Sequence, residues 1–343
     1  MARGNQSKFS YSNLFSMDIA IDLGTANTLI WVKGRGIMIN EPSIVAKTVN
    51  SGKVIAVGQE AKEMLGKTHH NLVTVRPLKD GVIADFQMAD GMIQGFIRKM
   101  HLSRIARPRM VICVPSGVTP VEQRAVRESA ERANAREVHL IEEPIAAAIG
   151  IGLDIAKPVG NMIVDVGGGT TEIAVIALNG IVTKETIRIA GDEMDSAIID
   201  WFHNEHKLEI GDRTAEMIKC NVGTGTSDGK SKIVIKGRDL VTGIPKTITV
   251  PSDEIRKALS DTLYQIIGAI KRALERTPPE LSSDILDRGI ILTGGGALLK
   301  GLDEILREET NLPVHVAEEP LTSIVLGTGM VLEHIKDFSA ILF

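Results

Sequence analysis

"IVDVGGGTTEIAVI", Ile163 to Ile176, decides how this chain is read. An apolar run ends on Asp165, three glycines follow, and beyond Thr170 and Thr171 a second apolar run begins. Short β-rich runs separated by a glycine turn are the pattern of strand, turn, strand. "IAIDLGTANTLIWV", Ile19 to Val32, has the same grammar, with Asp22, Gly24 and Thr25 in the turn. Each stretch leads into a third short run, "GIMI" after Gly34–Arg35–Gly36 and "IVTKETI" after the hairpin signal Asn179–Gly180. Each copy therefore reads as an antiparallel meander, and two meanders with an acid at the same place imply a diverged internal duplication.

The segments between and after the copies alternate strand with helix. Met110–Val114 is a buried-type strand. Thr119 as N-cap, Pro120 at the first helical position and Glu122 three residues after the cap predict a helix to about Asn134. "VHLIEEPIAAAIGIG" reads as a short strand, an acidic turn and an Ala-rich helix entered through Pro144. "GDEMDSAIIDWFHNEH" and "DRTAEMIKCNVG" are helical, and "SKIVIKGRDLVTGIPKTITV" is a two-strand patch. A long amphipathic helix is capped near Ser252 and stopped by Pro278–Pro279. "RGIILTGGGALLKGLDEILREET" is strand, glycine turn, helix, and a helical stretch near "LTSIVLGTGMVLEHI" follows. This alternation predicts an α/β fold.

Three glycine turns thus follow three strand-like runs, after Asp22, Asp165 and Thr293. Exposed amides in such turns, with threonine hydroxyls beside them, make anion cradles, and phosphate is the natural anion. Carboxylates repel phosphate, so Asp22 and Asp165 make sense beside a divalent cation such as Mg²⁺, which is commonly held through one or two carboxylates and water. Two facing turns would hold one nucleotide–Mg²⁺ between related halves. Glu142–Glu143–Pro144 offers a carboxylate that could polarise a water, or an acid that complements a helix dipole. "GTGTSDGKS", Gly223 to Ser231, has the wrong glycine spacing and order for a Walker A loop and reads as a solvent loop. No dinucleotide fingerprint fits Gly294–Gly296.

Composition excludes several classes. The chain has 343 residues, a length that favours two domains, with 43% hydrophobic and 24% charged residues. Aromatics are 3% and the formal net charge is −4, which argues against stacking platforms or an electrostatic glove for nucleic acid. Cys113 and Cys220 make no disulfide framework or metal motif, so a reducing, cytosolic setting is expected. Neither an 18-residue apolar run nor a secretory leader is present. Residues 1–16 read as a frayed tail or as a short amphipathic anchor with Tyr11, Leu14 and Phe15 on one face.

The DLGT, DVGGGT and TGGGA turns, in that order, resemble the actin/sugar-kinase/heat-shock-chaperone ATPase superfamily. "IAIDLGTANTLIWVKG", "NEPSIVA", "RPLKDGVIADF", "CVPSGVTPVEQRA", "IEEPIAAAIG", "GRDLVTGIPK" and "LTGGGALLKGLD" resemble, more closely, the MreB/Mbl family of bacterial actins of cell shape. The resemblance spans Met17 to Ile335. It implies an actin-like ATPase fold, with two duplicated RNase H-like domains and ATP–Mg²⁺ in the cleft. Domain I would be about 17–148 plus 324–343, with a small subdomain at about 38–78. Domain II would be 149–323, with a small subdomain at about 190–252.

Residue by residue, the resemblance implies that Thr25, Ala26 and Asn27 form the first phosphate turn. Gly167, Gly168, Gly169 and Thr170 form the second. Asp22 and Asp165 face Mg²⁺, and Glu143 orients the attacking water with help from Thr170. Glu216, Met217, Ile218 and Lys219 lie near ribose and base, and Gly294, Gly295, Gly296 and Ala297 near adenosine. Family members form membrane-associated antiparallel double filaments at the inner face of the cytoplasmic membrane and help organise wall elongation. In that context "GFIRKMHLSRIARPR", Gly95 to Arg109, suggests insertion of Met100 and Leu102, alongside Phe15, between basic residues that meet headgroups. A metabolite kinase would need a substrate pocket with a carboxylate base, and none is identified. A chaperone would need a peptide-binding domain after Phe343, for which the chain has no room.

Overall fold

A computed structural model describes residues 17–100, 107–227 and 231–343. Both meanders form, and each grows into a five-stranded sheet. In the first, Ile19–Leu23 pairs antiparallel with Asn27–Val32, which pairs with Gly36–Pro42. On its other side Ile19–Leu23 pairs in parallel with Arg109–Val114, and that strand with Glu137–Glu142. The second sheet repeats the plan with Asn161–Val166, Thr171–Ala177 and Gly180–Ile187 antiparallel, then Ile290–Thr293 and Val314–Val316 in parallel. Taken in chain order, both sheets run third, second, first, fourth, fifth. Asp22 and Asp165 are each the next-to-last residue of the first strand of their sheet. The duplication inferred from spacing is a duplication of topology.

The two sheets are joined back to back through helices. Ala20 and Val111 of the first sheet and Ile163, Ala174 and Ile176 of the second share one buried cluster with helices Glu143–Gly150 and Ser323–Glu333. These helices cross with backbones touching. A Cβ placed on Gly150 would lie 1.9 Å from the Ser323 carbonyl oxygen, and one on Gly327 would lie 1.8 Å from that of Ala146. Thr171–Ala177 is buried along its whole length, and its apolar part, Ile173–Ala177, is correspondingly unbroken.

Each half carries a small lobe. Val45–Thr48, Val54–Val57 and Leu72–Val75 form a three-stranded sheet next to helix Gln59–Met64. In the other half, the expected two-strand patch, Lys232–Asp239 with Pro245–Pro251, gains a short third strand, Leu208–Glu209. The C-terminus returns to the first sheet: Phe343 N–H donates to Leu140 O and Leu140 N–H to Phe343 O, at 3.1 and 2.9 Å.

Local chemistry explains the element ends. Helix Pro120–Arg132 starts with the expected capping box: Thr119 Oγ1 accepts from the Glu122 amide, and the Glu122 carboxylate accepts from the Thr119 amide. Helix Ser252–Glu275 has Pro251 at the cap position, so Ser252 is its first helical residue, not its cap. The acidic turn expected at Glu142–Glu143 is not a turn, because strand Glu137–Glu142 passes directly into helix Glu143–Gly150. Pro144 sits in the first helical turn, where its missing N–H costs no hydrogen bond. The segment expected to be a solvent loop is packed as far as Thr226. Gly223, Thr224 and Gly225 are buried, and the Gly225 amide donates to Lys300 O at 2.7 Å. Residues 228–230 lie outside the described residues.

The helix crossing and an ordinary helix interior should respond to alanine with opposite signs. Gly327→Ala forces the two backbones apart and should destabilise the fold by about 2–3 kcal/mol. Gly268, inside helix Ser252–Glu275, would bring its Cβ only to 3.6 Å from the flexible end of Arg272. Gly268→Ala should therefore stabilise by about 0.5–1 kcal/mol. Urea unfolding of both variants checks the pair of signs.

Candidate functional site

The carboxyl ends of the parallel strands from both sheets open on one cleft of about 440 Å³. Ligands in open α/β sheets collect beyond the carboxyl ends of the strands. All three glycine turns line this cleft. The first, Gly24–Asn27, is braced by Ser43, whose hydroxyl donates to Gly24 O at 2.6 Å and whose amide donates to Ala26 O at 2.9 Å. Asn27 Nδ2 donates to Asn40 Oδ1 at 3.2 Å. The "NEPS" motif is thus a buttress for this turn. A tight Asp80–Gly81 turn adds a clamp, its Gly81 amide donating to Thr25 Oγ1 at 3.2 Å.

The second turn is held by the N-terminus of helix Gly191–Glu205: the Gly191 amide donates to Gly167 O at 3.2 Å and the Asp192 amide to Gly168 O at 2.8 Å. The third begins at Gly294, whose φ of 79° favours glycine, and a Cβ there would strike Asp165 Oδ1 at 2.2 Å. The first two turns abut, since a Cβ on Gly168 would come within 2.7 Å of Ala26 Cβ.

Between the turns lie the carboxylates. Asp22, Glu143 and Asp165 line the cleft and are buried, and Glu172, paired with Asp165 on the next strand, is buried outside its lining. Burial pushes Asp22 up to about 6, against a hydrogen bond in which Cys113 Sγ donates to its Oδ1 at 3.4 Å. Burial, with Glu172 and Asp22 as like-charged neighbours, pushes Asp165 up to about 8. Burial and the charges of Glu172, Asp22 and Asp165 hold Glu143 well above the usual carboxylate range. Glu172 is also raised by burial, although the Ser116 amide and hydroxyl donate to it, both at 3.1 Å. Asp165 Oδ1 is buried with no hydrogen-bond partner.

The structure brings together most of the residues read from the sequence. Asp22, Thr25, Ala26, Asn27, Glu143, Asp165, Gly167, Gly168, Thr170, Glu216, Lys219, Gly294, Gly295 and Gly296 line the cleft. Four do not. Ile218 is fully buried in the core of the second half, and Ala297 lies in the same core. Met217 faces a hollow of about 300 Å³ at the cleft mouth. Gly169 packs against Thr25 and Asp80 instead. On helix Asp212–Val222 the cleft takes Glu216, Lys219 and Cys220, a spacing of three and four, so a run of four consecutive residues cannot share its face.

Met100 also departs from expectation. It is 4% exposed, in one buried cluster with Met88, Met92 and Phe96. Those four recur every fourth residue along helix Phe86–Lys99 and its C-cap, so Met100 continues the core stripe and does not face a bilayer. Two basic residues of that segment are tied to protein acids, Lys99 to Glu41 at 2.6 Å and Arg109 to Glu137 at 2.9 Å. Phe15 and Leu102 lie outside the described residues. Among the described residues no helix is long and apolar enough to cross a membrane.

Sequence reasoning missed Lys62, Arg76, Asp192 and Asp195, which also line the cleft. Lys62 Nζ is 2.8 Å from the Glu216 carboxylate, Arg76 is 3.2 Å from Asp192, and Lys219 is 2.9 Å from Asp195. No local signal marks these residues, because each pairs with a residue distant in the chain or on another element.

Two duplicated α/β halves around a cleft lined by glycine turns and buried acids define an actin-like protein. The family model described as MreB/Mbl protein matches residues 16–340, and the chain belongs to that family. It is 54% identical over 323 residues to the cell shape-determining protein Mbl of Bacillus subtilis (strain 168), covering 94% of this chain and 97% of that protein. It is 51% identical over 340 residues to the cell shape-determining protein MreB of Escherichia coli (strain K12), covering 97% and 98%. The crystal structure of MreB 5 of Spiroplasma citri bound to AMPPNP superposes with a TM-score of 0.91 at 36% identity, covering 95% of this chain and 98% of that one.

The raised carboxyls predict an unusual stability profile. Asp22 and Asp165 bind protons more tightly folded than unfolded, so their contribution is full below their ordinary range near 4 and is lost as pH rises through about 6 and about 8. Nucleotide-free protein in a chelator should melt at a lower temperature at pH 8.5 than at pH 6. Asp165→Asn should flatten that slope, and differential scanning calorimetry across the range reads it directly.

Proposed function

We propose that the cleft binds and hydrolyses ATP with Mg²⁺, and that the nucleotide state governs assembly of the chain into filaments. The observation that carries this reading is the meeting of two braced phosphate turns around a cluster of buried, like-charged carboxylates. The bound AMPPNP of the related Spiroplasma citri protein supports the nucleotide class. A divalent cation fits the residues present. Asp165 Oδ1 is buried without a partner, and ligating atoms of Asp22, Glu143 and Cys113 lie within 4.8 Å of one another. Asp22 and Asp165 would hold Mg²⁺, which when bound supplies the positive charge that this cluster lacks and neutralises phosphate charge.

The chain's own residues divide the remaining work. Amides of the turns at Gly24–Asn27 and Gly167–Thr170 receive phosphate oxygens. Glu143, fixed at the first turn of its helix and facing the cleft, orients a water toward the terminal phosphorus with Thr170 alongside. Water attacks phosphorus, the bond to the bridging oxygen breaks toward the diphosphate, and Glu143 is the acceptor for the water proton. Glu216 and Lys219 face the ribose, and Gly294–Gly296 the adenosine.

We further propose two domains with the bounds expected from the sequence, antiparallel paired filaments at the inner face of the cytoplasmic membrane, and a role in organising wall elongation. The shape-determining relatives in Bacillus subtilis and Escherichia coli support that role. Lipid contact rests on Leu102 and Phe15, without Met100.

Purified protein with ATP–Mg²⁺ on anionic liposomes should give paired filaments by negative-stain electron microscopy, and Asp165→Ala should weaken them. Dispersed protein that binds ATP at every concentration would favour a monomeric ATPase of the kinase or chaperone type. Glu143→Ala should bind a labelled ATP analogue while releasing phosphate about a hundredfold or more slowly. Leu102→Asp should reduce co-sedimentation with anionic vesicles, and unchanged sedimentation would remove that residue from the lipid contact.

A further inference from the structure

Two ion pairs cross the mouth of the cleft, and each joins residues far apart in sequence. Lys62, on helix Gln59–Met64 of the first small lobe, contacts Glu216 on helix Asp212–Val222 at 2.8 Å. Arg76, just after strand Leu72–Val75, contacts Asp192 at 3.2 Å. All four residues line the cleft, and each side chain of the two pairs is between 25% and 38% exposed.

Both pairs are tied to the parts that hold phosphate. Asp192 offers its carboxylate to Arg76 across the cleft while its own amide donates to Gly168 O at 2.8 Å, inside the second phosphate turn. Glu216 lies one turn before Lys219 on the same helix. Lys219 Nζ donates to Gly191 O at 2.7 Å, the residue next to Asp192. On the first half, the Gln59 amide donates to Glu41 Oε2 at 3.1 Å, and Glu41 also pairs with Lys99. The lobe that carries Lys62 is thereby anchored to strand Gly36–Pro42 of the main sheet.

We propose that Lys62 and Arg76 are positioning residues that latch the two lobes over the nucleotide, Lys62 by holding the ribose-facing carboxylate of Glu216 from the opposite half. This rests on the ATP reading of the cleft and adds what that reading lacks, a group in the first half that completes the ribose site only when the lobes meet. Opening the mouth breaks both pairs, frees Glu216 from its partner and removes the restraint on Asp192 and hence on Gly168. The latch is reversible because partly exposed pairs are individually weak. It sets the rate at which nucleotide leaves without touching the reacting atoms.

Stopped-flow release of N-methylanthraniloyl-ATP, chased with unlabelled ATP in Mg²⁺, tests this. Two exposed pairs of ordinary strength predict release about three- to tenfold faster from the Lys62→Met, Arg76→Met double variant. Arg76→Asp alone should release faster still than Arg76→Met, since it sets a like charge against Asp192. Adding Asp192→Arg to Arg76→Asp should return release to near the wild-type rate, which also shows that the fold is intact. Unchanged release from the double variant overturns the latch. So does a charge-swapped pair that releases as fast as Arg76→Asp alone, because the side chains and not their pairing would then matter. Wild-type protein that binds no labelled nucleotide overturns the ATP reading and the latch with it.

Discussion

The constraint on which this structure turns is the burial of Asp22, Glu143 and Asp165 in one cleft, with Glu172 buried beside Asp165 on the next strand. Withdrawal from water raises the proton affinity of Asp22 and Asp165, and at Asp165 the charges of Glu172 and Asp22 raise it further. A chain folded for stability alone would scatter these acids over its surface. Here each is delivered by regular structure. Asp22 and Asp165 stand at the carboxyl ends of equivalent strands, Glu172 lies opposite Asp165 in the neighbouring strand, and Glu143 opens a helix. The cost is carried by the two sheets and by the helices packed between them, which hold the acids in place.

That arrangement divides the molecule into a firm back and a lighter mouth. At the back, helices Glu143–Gly150 and Ser323–Glu333 touch backbone to backbone within a buried apolar cluster common to both sheets. Ser116 reinforces it by donating from amide and hydroxyl to Glu172 of the other half. At the mouth, the described contacts between small lobes include ion pairs that remain partly exposed. Apolar burial is hard to undo in parts, whereas exposed pairs exchange readily with water. Motion between the halves is therefore expected about the back, with the largest displacement where ligand enters.

Much of the site was legible because it is local. The DLGT, DVGGGT and TGGGA turns each follow an apolar run, and a glycine turn after an apolar run shows itself in a few residues. A contiguous motif on a helix is not a contiguous site. Ile218 and Met217 fall off the cleft because a helix turns them away from Glu216 and Lys219, and Ala297 is drawn into the core. Met100 continues the face that Met88, Met92 and Phe96 mark as buried, and a basic neighbourhood does not override that period. Thr224 and Gly225 have the small, polar composition of a solvent loop, yet both donate to the Lys300 carbonyl.

The sequence by itself determined the duplication, the strand–turn–strand frame and the acids placed at its turns, because each depends on hydrophobic period and on glycine within a short span. Only the tertiary structure decided which acids share a cavity, that "NEPS" and the Asp80–Gly81 turn brace the first glycine turn, and that Lys62 meets Glu216 and Arg76 meets Asp192. These pairings join positions more than a hundred residues apart or on different lobes. Nothing in local pattern specifies them. They follow from how two sheets with the same strand order are joined through a pair of touching helices.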